Sequence, residues 1–230
     1  MREAAPLSAA YTADRAAALA GVPLSTLHYW TRTQLLVPSV SSEKVKRWSY
    51  ADLLVLRLVA WLRSEKANSG RAPDAPTLPK TSVRRVRAML ERTTNLREHL
   101  LSLPVYVDGA GRLILEGPLG FLYLPLGRGF DQGLIDHGVD LIQPFETQAG
   151  ISGPDLARPR ETLRIIPGKL AGEPHVEGTR IPTNMIRALD RRGFETDRII
   201  ELYPSLQPGN VVEAIDLERQ LERNLGRRAA

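Results

Sequence analysis

The side chains that most often hold metals or attack substrates are absent or widely spaced in this sequence. Cysteine is missing, which excludes disulfides, thiolate metal sites and cysteine nucleophiles. The four histidines, at positions 28, 99, 137 and 175, lack the close spacing of zinc ligands. We therefore expect no zinc site and no other cofactor.

Two stretches contain fragments of enzyme-like motifs. A phosphate-binding loop needs Ser or Thr after Gly-Lys, and Leu170 stands there instead, which excludes nucleotide hydrolysis by such a loop. The acidic run 131–140 has a spacing that matches no ligand scheme, and we expect its side chains at the surface. A small enzyme with an acidic site in this run is kept as a third hypothesis, although the chain is predicted not to be an enzyme. The run contains Asp131, Asp136, His137 and Asp140.

Positive charge is concentrated in the first hundred residues. Residues 1–100 contain 16 Lys and Arg against 8 Asp and Glu, whereas residues 101–230 contain 15 against 18. Each phosphate that a protein neutralises releases condensed counterions, so this excess favours binding to a polyanion. The alternative is that the arginines only keep helix faces solvated. Motifs must separate the two.

Two short helices around a glycine-containing turn are predicted near the N-terminus. Thr12 would cap a helix over 13–20, and Gly21 would end it. A second helix from 25 to 32 completes a helix-turn-helix. Its apolar side would pack against the first helix, which leaves its polar side free for a major groove. The predicted DNA contacts on this helix are Ser25, Thr26, His28, Tyr29 and Arg32.

A short polar stretch, 39–47, predicts a two-stranded wing that touches the DNA backbone. Its basic residues Lys44, Lys46 and Arg47 complete the predicted DNA-binding set. The apolar helix that follows, 53–62, must lie in the core and is assigned as scaffold. A proline-containing insertion over 64–80 and a further helix over 83–92 come next.

This N-terminal region resembles the MerR-type winged helix-turn-helix over about residues 10–95. The resemblance implies a DNA-binding fold, and operator half-sites read by such folds call for a homodimer. Glycine is common in that family at position 34, where this chain has Gln34. The matching residues are Tyr11-Thr12, Ala20-Gly21-Val22, Thr26 to Trp30, Leu35 to Pro38, Arg47-Trp48-Ser49 and Asp52-Leu53.

The rest of the chain predicts a small sheet and a helical module. Residues 105–115 predict a β-hairpin, because Asp-Gly and a second Gly supply positive φ angles. Such a sheet would bridge domains, dimerise or cover a partner, and the sequence does not choose among these. Residues 147–160 predict a linker. Three helices are then expected, from 183 or 184 to 193, over 195–203 and from 208 to 225, the last two arranged like a helix-turn-helix.

This C-terminal region, residues 160–225, resembles the domain of unknown function numbered 433. The likeness rests on the Gly-Thr-Arg-Ile-Pro core at 178–182 and the Tyr-Pro-x-Leu turn at 203–206. Proteins with this domain are often paired with PIN-like ribonuclease toxins. A MerR-like domain joined to it therefore resembles a VapB-type antitoxin.

The Gly-Thr-Arg turn at 178–180 is a candidate contact site. It would present a guanidinium to a carboxylate or phosphate, on a partner or on DNA. The alternative is that Arg180 ties the turn to the helices of its own domain. The residues predicted to contact a partner or DNA in this region are Gly178, Thr179, Arg180, Asn184, Gln207 and Asn210.

These patterns predict a mainly α fold with small β elements: an N-terminal winged helix-turn-helix, a small central β-hairpin region and a C-terminal three-helix domain. The domains are predicted at 1–100, 101–160 and 161–230. The resemblances imply an antitoxin that represses its operon and neutralises a PIN-like ribonuclease. The alternative is a free-standing MerR-like regulator whose C-terminal domain senses a ligand or protein. No run approaches the ~18 apolar residues of a membrane helix, so we expect a cytoplasmic protein without membrane contact.

Overall fold

A computed structural model describes residues 9–63, 82–92, 95–102, 105–108, 113–117, 120–123, 135–139, 141–146 and 150–226. The chain is mainly helical with small β elements, which confirms the predicted fold class. It divides into two compact units: residues 1–53 with 142–230, and residues 54–141. The three domains predicted from sequence stay a prediction. In the described part, no helix has the length and apolarity needed to cross a membrane.

The first unit begins with the predicted pair of short helices. α1 (Ala13–Ala20) starts after Thr12, whose hydroxyl accepts a hydrogen bond from the Arg15 N–H at 3.4 Å. Gly21, with φ of +65°, ends it in the left-handed region that glycine adopts without strain. α2 (Leu24–Arg32) follows, and α3 (Tyr50–Arg63) continues into the second unit.

The core of the helix-turn-helix is formed by apolar side chains from its helices and the strand-like segments beside them. Burying one such large side chain stabilises a fold by roughly 1.5–3 kcal/mol. α1 buries its last five residues, and α2 buries the side that carries Leu27. The largest buried side chains here are Tyr11, Leu19, Leu27, Trp30 and Trp48.

The described part of the second unit contains residues 54–63 of α3, two further helices and a four-stranded antiparallel sheet. If the strands are numbered β1 to β4 along the chain, their order in the sheet is β3-β2-β1-β4. Tyr106 pairs with Ile114 across β1 and β2, so the two strands of the predicted hairpin are confirmed. β3 and β4 extend the hairpin beyond the prediction. The elements are α4 (Val83–Arg92), α5 (Leu96–Ser102), β1 (Val105–Asp108), β2 (Leu113–Gly117), β3 (Gly120–Tyr123) and β4 (Ile135–Val139).

The C-terminal part returns to the first unit and confirms the three predicted helices. Two short antiparallel pairs, β5 with β6 and β7 with β8, precede them. A single 3-10 turn, Leu170–Gly172, lies between β7 and β8. The elements are β5 (Phe145–Glu146), β6 (Ser152–Gly153), β7 (Leu163–Arg164), β8 (His175–Val176), α6 (Thr183–Arg191), α7 (Thr196–Leu202) and α8 (Pro208–Asn224).

Hydrogen bonds join the N-terminal helices to this C-terminal part. The Tyr11 hydroxyl donates to the Gly172 carbonyl at 2.8 Å, and the Asn224 amide donates to the Ala18 carbonyl at 3.0 Å. A Cβ added to Gly172 would lie 2.3 Å from the Tyr11 hydroxyl oxygen, and φ there is +84°. Only glycine suits that position. The N-terminal helix pair and the C-terminal domain therefore pack together within the first unit.

Several predictions fall outside the described residues. They include the whole insertion at 64–80, the hairpin turn at 109–112, Asp131 and Asp140. Asp136 and His137 lie in β4, and their side chains are outside the description. The acidic run 131–140 thus stays a prediction.

Candidate nucleic-acid interface

α2 buries one side and exposes the other, as its pattern predicts. Leu27 and Trp30 are buried, and the Thr31 hydroxyl donates to the Leu27 carbonyl at 2.8 Å. Each of the five predicted contacts lies on the remaining surface, with Thr26 partly covered. The exposed ones are Ser25, His28, Tyr29 and Arg32.

Arg32 is the cation of this face. Its Cζ lies 5.9 Å from the centroid of the Tyr29 ring, a cation–π contact of about 0.5–1 kcal/mol at an exposed position. Within the described part of the chain no ion pair involves its guanidinium. The ring restrains the guanidinium while its N–H donors stay available for a phosphate or a base edge.

The turn between α1 and α2 has a steric requirement for glycine. A Cβ on Gly21 would lie 2.7 Å from Cζ of Phe145, which covers this turn. Val22 N–H donates to the Ala17 carbonyl at 2.9 Å and holds the chain as it leaves α1. A side chain at position 21 would therefore displace Phe145 or the turn between the two helices.

The turn after α2 has a left-handed residue at Gln34, the position where glycine is common in MerR-type domains. Gln34 has a φ of +53°, in the left-handed region. Its N–H donates to the Thr31 carbonyl at 3.1 Å, and Leu35 N–H donates to the Trp30 carbonyl at 2.9 Å. An L-residue is strained there by roughly 1–2 kcal/mol.

The wing is shorter than the two-stranded ladder predicted. Ser41 and Arg47 form one bridge, with hydrogen bonds of 3.2 and 2.9 Å, because only five residues lie between them. Lys44 and Lys46 are exposed on this excursion, and Arg47 is half-buried beside the bridge. The two lysines are thus open to solvent, whereas the backbone of Arg47 forms the bridge to Ser41.

The link between Asp52 and the wing was not predicted from the sequence. The carboxylate is 1% exposed, and its Oδ2 accepts hydrogen bonds from both Ser39 and Ser49. Ser49 in turn accepts from the Asp52 N–H at 3.1 Å, which makes a capping box at the start of α3. The Ser-x-x-Asp spacing was a signal that could have revealed the cap.

The Gly-Thr-Arg turn at 178–180 holds its backbone rigidly. Gly178 has a φ of +74°. The Thr179 hydroxyl donates to the Val176 carbonyl at 2.9 Å and accepts from Ile181 N–H at 3.1 Å. Arg180 is exposed, and among the described residues it has no hydrogen bond or ion pair that would tie it to a helix of its domain.

The other predicted contacts of the C-terminal domain have different surroundings. Asn184 is exposed in the first turn of α6. The side-chain amide oxygen of Asn210, Oδ1, accepts from the Gln207 backbone N–H at 2.7 Å, so this pair caps α8. Their positions give Gln207 and Asn210 a structural role.

A cluster of buried charges lies between α1, α6 and α8. Arg15 contacts Glu173 at 2.8 Å and Glu218 at 2.7 Å, and the Thr183 hydroxyl also donates to Glu218. Burial would lower the pKa of Arg15, but the hydrogen bonds and charge of Glu218 outweigh it, so the pKa rises. Burial raises the pKa of Glu173 despite the nearby Arg15. The charges are paired internally, which suits a structural anchor.

This cluster borders a half-open cleft of about 310 Å³. On the far side of the cleft, Arg187 and Arg191 both contact Glu222. The arginines that line the cleft therefore also have carboxylate partners. Among the described residues, no group of histidines and carboxylates is arranged to hold a metal ion. The exposed cations of α2 and the wing therefore remain the better candidate for function.

His175 is buried with no charge partner. Its Nδ1 lies 3.0 Å from the Glu173 carbonyl, which makes Nδ1–H the donor, while Nε2 has no hydrogen bond in the described structure. Burial lowers the pKa of this imidazole below its ordinary value, which favours the neutral form.

Comparison with known proteins identifies one region in each half of the chain. Residues 11–71 match the MerR HTH family regulatory proteins, and residues 164–216 match the family described as "Protein of unknown function (DUF433)". The chain thus contains a MerR-family helix-turn-helix domain and a DUF433 domain. The first of these indicates a DNA-binding regulator.

Similarity to individual proteins covers a short stretch or has low sequence identity. "Uncharacterized protein y4eO" of Sinorhizobium fredii is 38% identical over 68 residues, a stretch that spans 30% of this chain and 30% of that protein. The X-ray crystal structure of Rv2018 from Mycobacterium tuberculosis aligns over 94% of this chain and 100% of its own, with 14% identity and a TM-score of 0.46.

Proposed function

We propose that this chain, with its MerR-family and DUF433 domains, is the antitoxin of a type II toxin–antitoxin pair. It would repress its own operon by binding operator DNA and neutralise a PIN-like ribonuclease by direct contact. It would have no catalytic activity of its own. The observation that carries the DNA-binding half is the exposed face of α2, where Arg32 is free of ion pairs within the described structure.

The arrangement supports division of labour within the DNA interface. Side chains of α2 have the donors and acceptors that read base edges in a major groove. Lys44 and Lys46 of the wing are exposed point charges, suited to phosphates. Each phosphate contact contributes about 0.9 to the slope of log affinity against log salt, which makes the assignment measurable.

The toxin-binding half rests on the DUF433 resemblance together with the exposed guanidinium of Arg180, which has no ion pair with any described residue. A hydrogen-bonded turn that presents such an arginine fits bidentate binding to a carboxylate, such as those of an acidic ribonuclease site. Two-fold operator half-sites would require a homodimer of this chain.

The test is co-expression of the chain with the neighbouring open reading frame and purification through a tag on this chain. The product is then titrated with a labelled duplex of upstream DNA at two salt concentrations, with fluorescence anisotropy as the signal. The proposal expects a small ribonuclease to co-purify and DNA binding to weaken at higher salt. Arg180→Ala should lose the partner, whereas the matched surface variant Arg223→Ala should keep it.

The outcomes separate the antitoxin from the alternative. Salt-dependent DNA binding without any co-purified partner would favour a free-standing MerR-like regulator with a sensing C-terminal domain. Absence of DNA binding at both salt concentrations would contradict both hypotheses.

A further inference from the structure

One buried carboxylate joins the two ends of the wing. Asp52 Oδ2 accepts hydrogen bonds from the Ser39 N–H at 2.9 Å, the Ser39 hydroxyl at 2.7 Å and the Ser49 N–H at 2.8 Å. The Ser39 hydroxyl also lies 2.8 Å from the Ser49 hydroxyl. Ser39 begins the wing (39–47), and Ser49 lies two residues beyond its end, so the Asp52 side chain links both sides of the excursion. Trp48, between the wing and Ser49, is also held by a backbone bridge to Tyr11.

The wing has little other support. Between the hydrogen bonds to Asp52 and the tip of the wing, the backbone is held by one bridge between Ser41 and Arg47. A further hydrogen bond of 3.3 Å runs from the Val40 N–H to the Arg47 carbonyl. Residues 42–46 are exposed, and Val45 at the tip is 60% exposed. Because no core packing fixes the tip, its direction must follow from its base.

Burying the carboxylate is costly unless its oxygens are hydrogen-bonded. Here three donors converge on one oxygen, and the N-terminus of α3 adds favourable peptide dipoles. A capping box alone would need only the Ser49 partner. The two bonds to Ser39 are additional, and they act on the wing and not on the helix.

We propose that Asp52 is the positioning residue of the wing. It does not touch DNA but sets where Lys44 and Lys46 meet the phosphate backbone. This inference rests on the proposed DNA-binding function and names the residue that controls the geometry of that same site.

The test compares salt slopes of DNA binding in the full chain, using the labelled upstream duplex. Lys44→Ala/Lys46→Ala should lower the slope by about 1.8, which corresponds to two phosphate contacts. Asp52→Ala should lower it by a similar amount, and adding the double lysine change to Asp52→Ala should produce no further decrease. Asp52→Asn, which can place an amide oxygen at the Oδ2 position, should restore most of the slope. Loss of folded protein alone would reduce the active fraction without this non-additivity or rescue.

Three results would overturn the proposal. If Asp52→Ala is folded by circular dichroism and keeps the wild-type slope, while the lysine change lowers it, Asp52 does not position the wing. If the lysine change has its full effect in the Asp52→Ala background, the same conclusion holds. If the lysine change has no effect in the wild-type chain, the wing does not bind DNA, and the wing assignment of the proposed function fails with it.

A second variant covers the case in which Asp52→Ala does not fold. Ser39→Ala removes the hydroxyl on the wing side and leaves the capping box of α3 intact. It should lower the slope by roughly half as much as Lys44→Ala/Lys46→Ala. A wild-type slope in folded Ser39→Ala would then count against Asp52 as the positioning residue.

Discussion

Arg15 and Glu218 form a bidentate ion pair across 203 positions of sequence, with Nη1 and Nη2 lying 2.7 and 2.8 Å from the two carboxylate oxygens. Arg15 belongs to the first helix of the helix-turn-helix and Glu218 to the last helix of the C-terminal domain. The side chains are only 13% and 6% exposed. The pair therefore anchors one domain on the other inside a single unit.

Arg15→Met should destabilise the first unit strongly, because it leaves Glu218 and Glu173 buried without their cation. The loss is expected at about 3–5 kcal/mol, measured by urea unfolding at pH 7. Arg198→Met is the matched control, since its ion pair with Glu201 is 61% exposed at both ends and such pairs contribute little. Equal effects of the two variants would contradict a buried anchor at Arg15.

Stability should fall as the pH drops below about 6.5, through His175. Its folded-state pKa is lowered by burial, so the unfolded chain binds the proton more readily, and protonation favours unfolding. The contribution is complete above the unfolded pKa and decreases below it, by at most ~1.4 kcal/mol per pH unit for one group.

The measurement for His175 is urea unfolding between pH 7.5 and 5.5, for the wild type and His175→Asn. The asparagine amide can replace the Nδ1–H donor but does not titrate. Glu173, whose pKa is raised by burial, acts with the opposite sign, and subtraction of the variant's curve removes its share. A difference between the two proteins that does not change with pH would refute the assignment.

Arg32→Ala should weaken operator binding by ~1–3 kcal/mol if Arg32 reads a base, or reduce the salt slope by about one if it contacts a phosphate. Anisotropy titrations at several salt concentrations distinguish the two modes. Arg223→Ala removes the same charge from the exposed side of α8 and should leave the slope unchanged. Affinity and slope both equal to wild type would remove Arg32 from the interface.

Gln34→Gly should stabilise the turn between α2 and the wing. The left-handed φ of +53° strains an L-residue by roughly 1–2 kcal/mol, and glycine removes this strain. Glycine also makes the unfolded chain more flexible, which lowers the free energy of unfolding by about 0.5–1 kcal/mol. We expect a net gain of about 0.5 kcal/mol in urea unfolding, with no gain for Gln34→Ala. A loss of stability in Gln34→Gly would mean that the glutamine side chain supports the turn.

The helices of the first unit could be predicted closely because their ends are chemically marked. Thr12 caps α1, Gly21 ends it, and glycine and proline separate the three C-terminal helices. The polar face of α2 followed from its 3.6-residue period, and the structure places Arg32 on it as expected. Local rules sufficed wherever the determinants were neighbours in sequence.

What could not be predicted depends on partners far apart in the chain. The charge count over residues 1–100 includes Arg15, but its carboxylate partners lie 158 and 203 positions further along the chain. Asp52 is a second example. Its capping box with Ser49 could be predicted from the Ser-x-x-Asp spacing, but its hydrogen bond to Ser39, 13 positions earlier, depends on the path of the wing. The extra strands β3 and β4 carry weak signals because glycines interrupt them.

The pairing of Arg15 with Glu218 also affects when the chain can fold during its synthesis. A ribosome adds about 5–20 residues per second, so Glu218 is synthesised roughly 10–40 s after Arg15. During that interval the emerging first helix lacks the carboxylate that will hold it, and the bond from Asn224 to Ala18 cannot yet form. Competence to occupy an operator is therefore expected to arise only after translation has passed α8, so that nascent chains do not compete with finished ones.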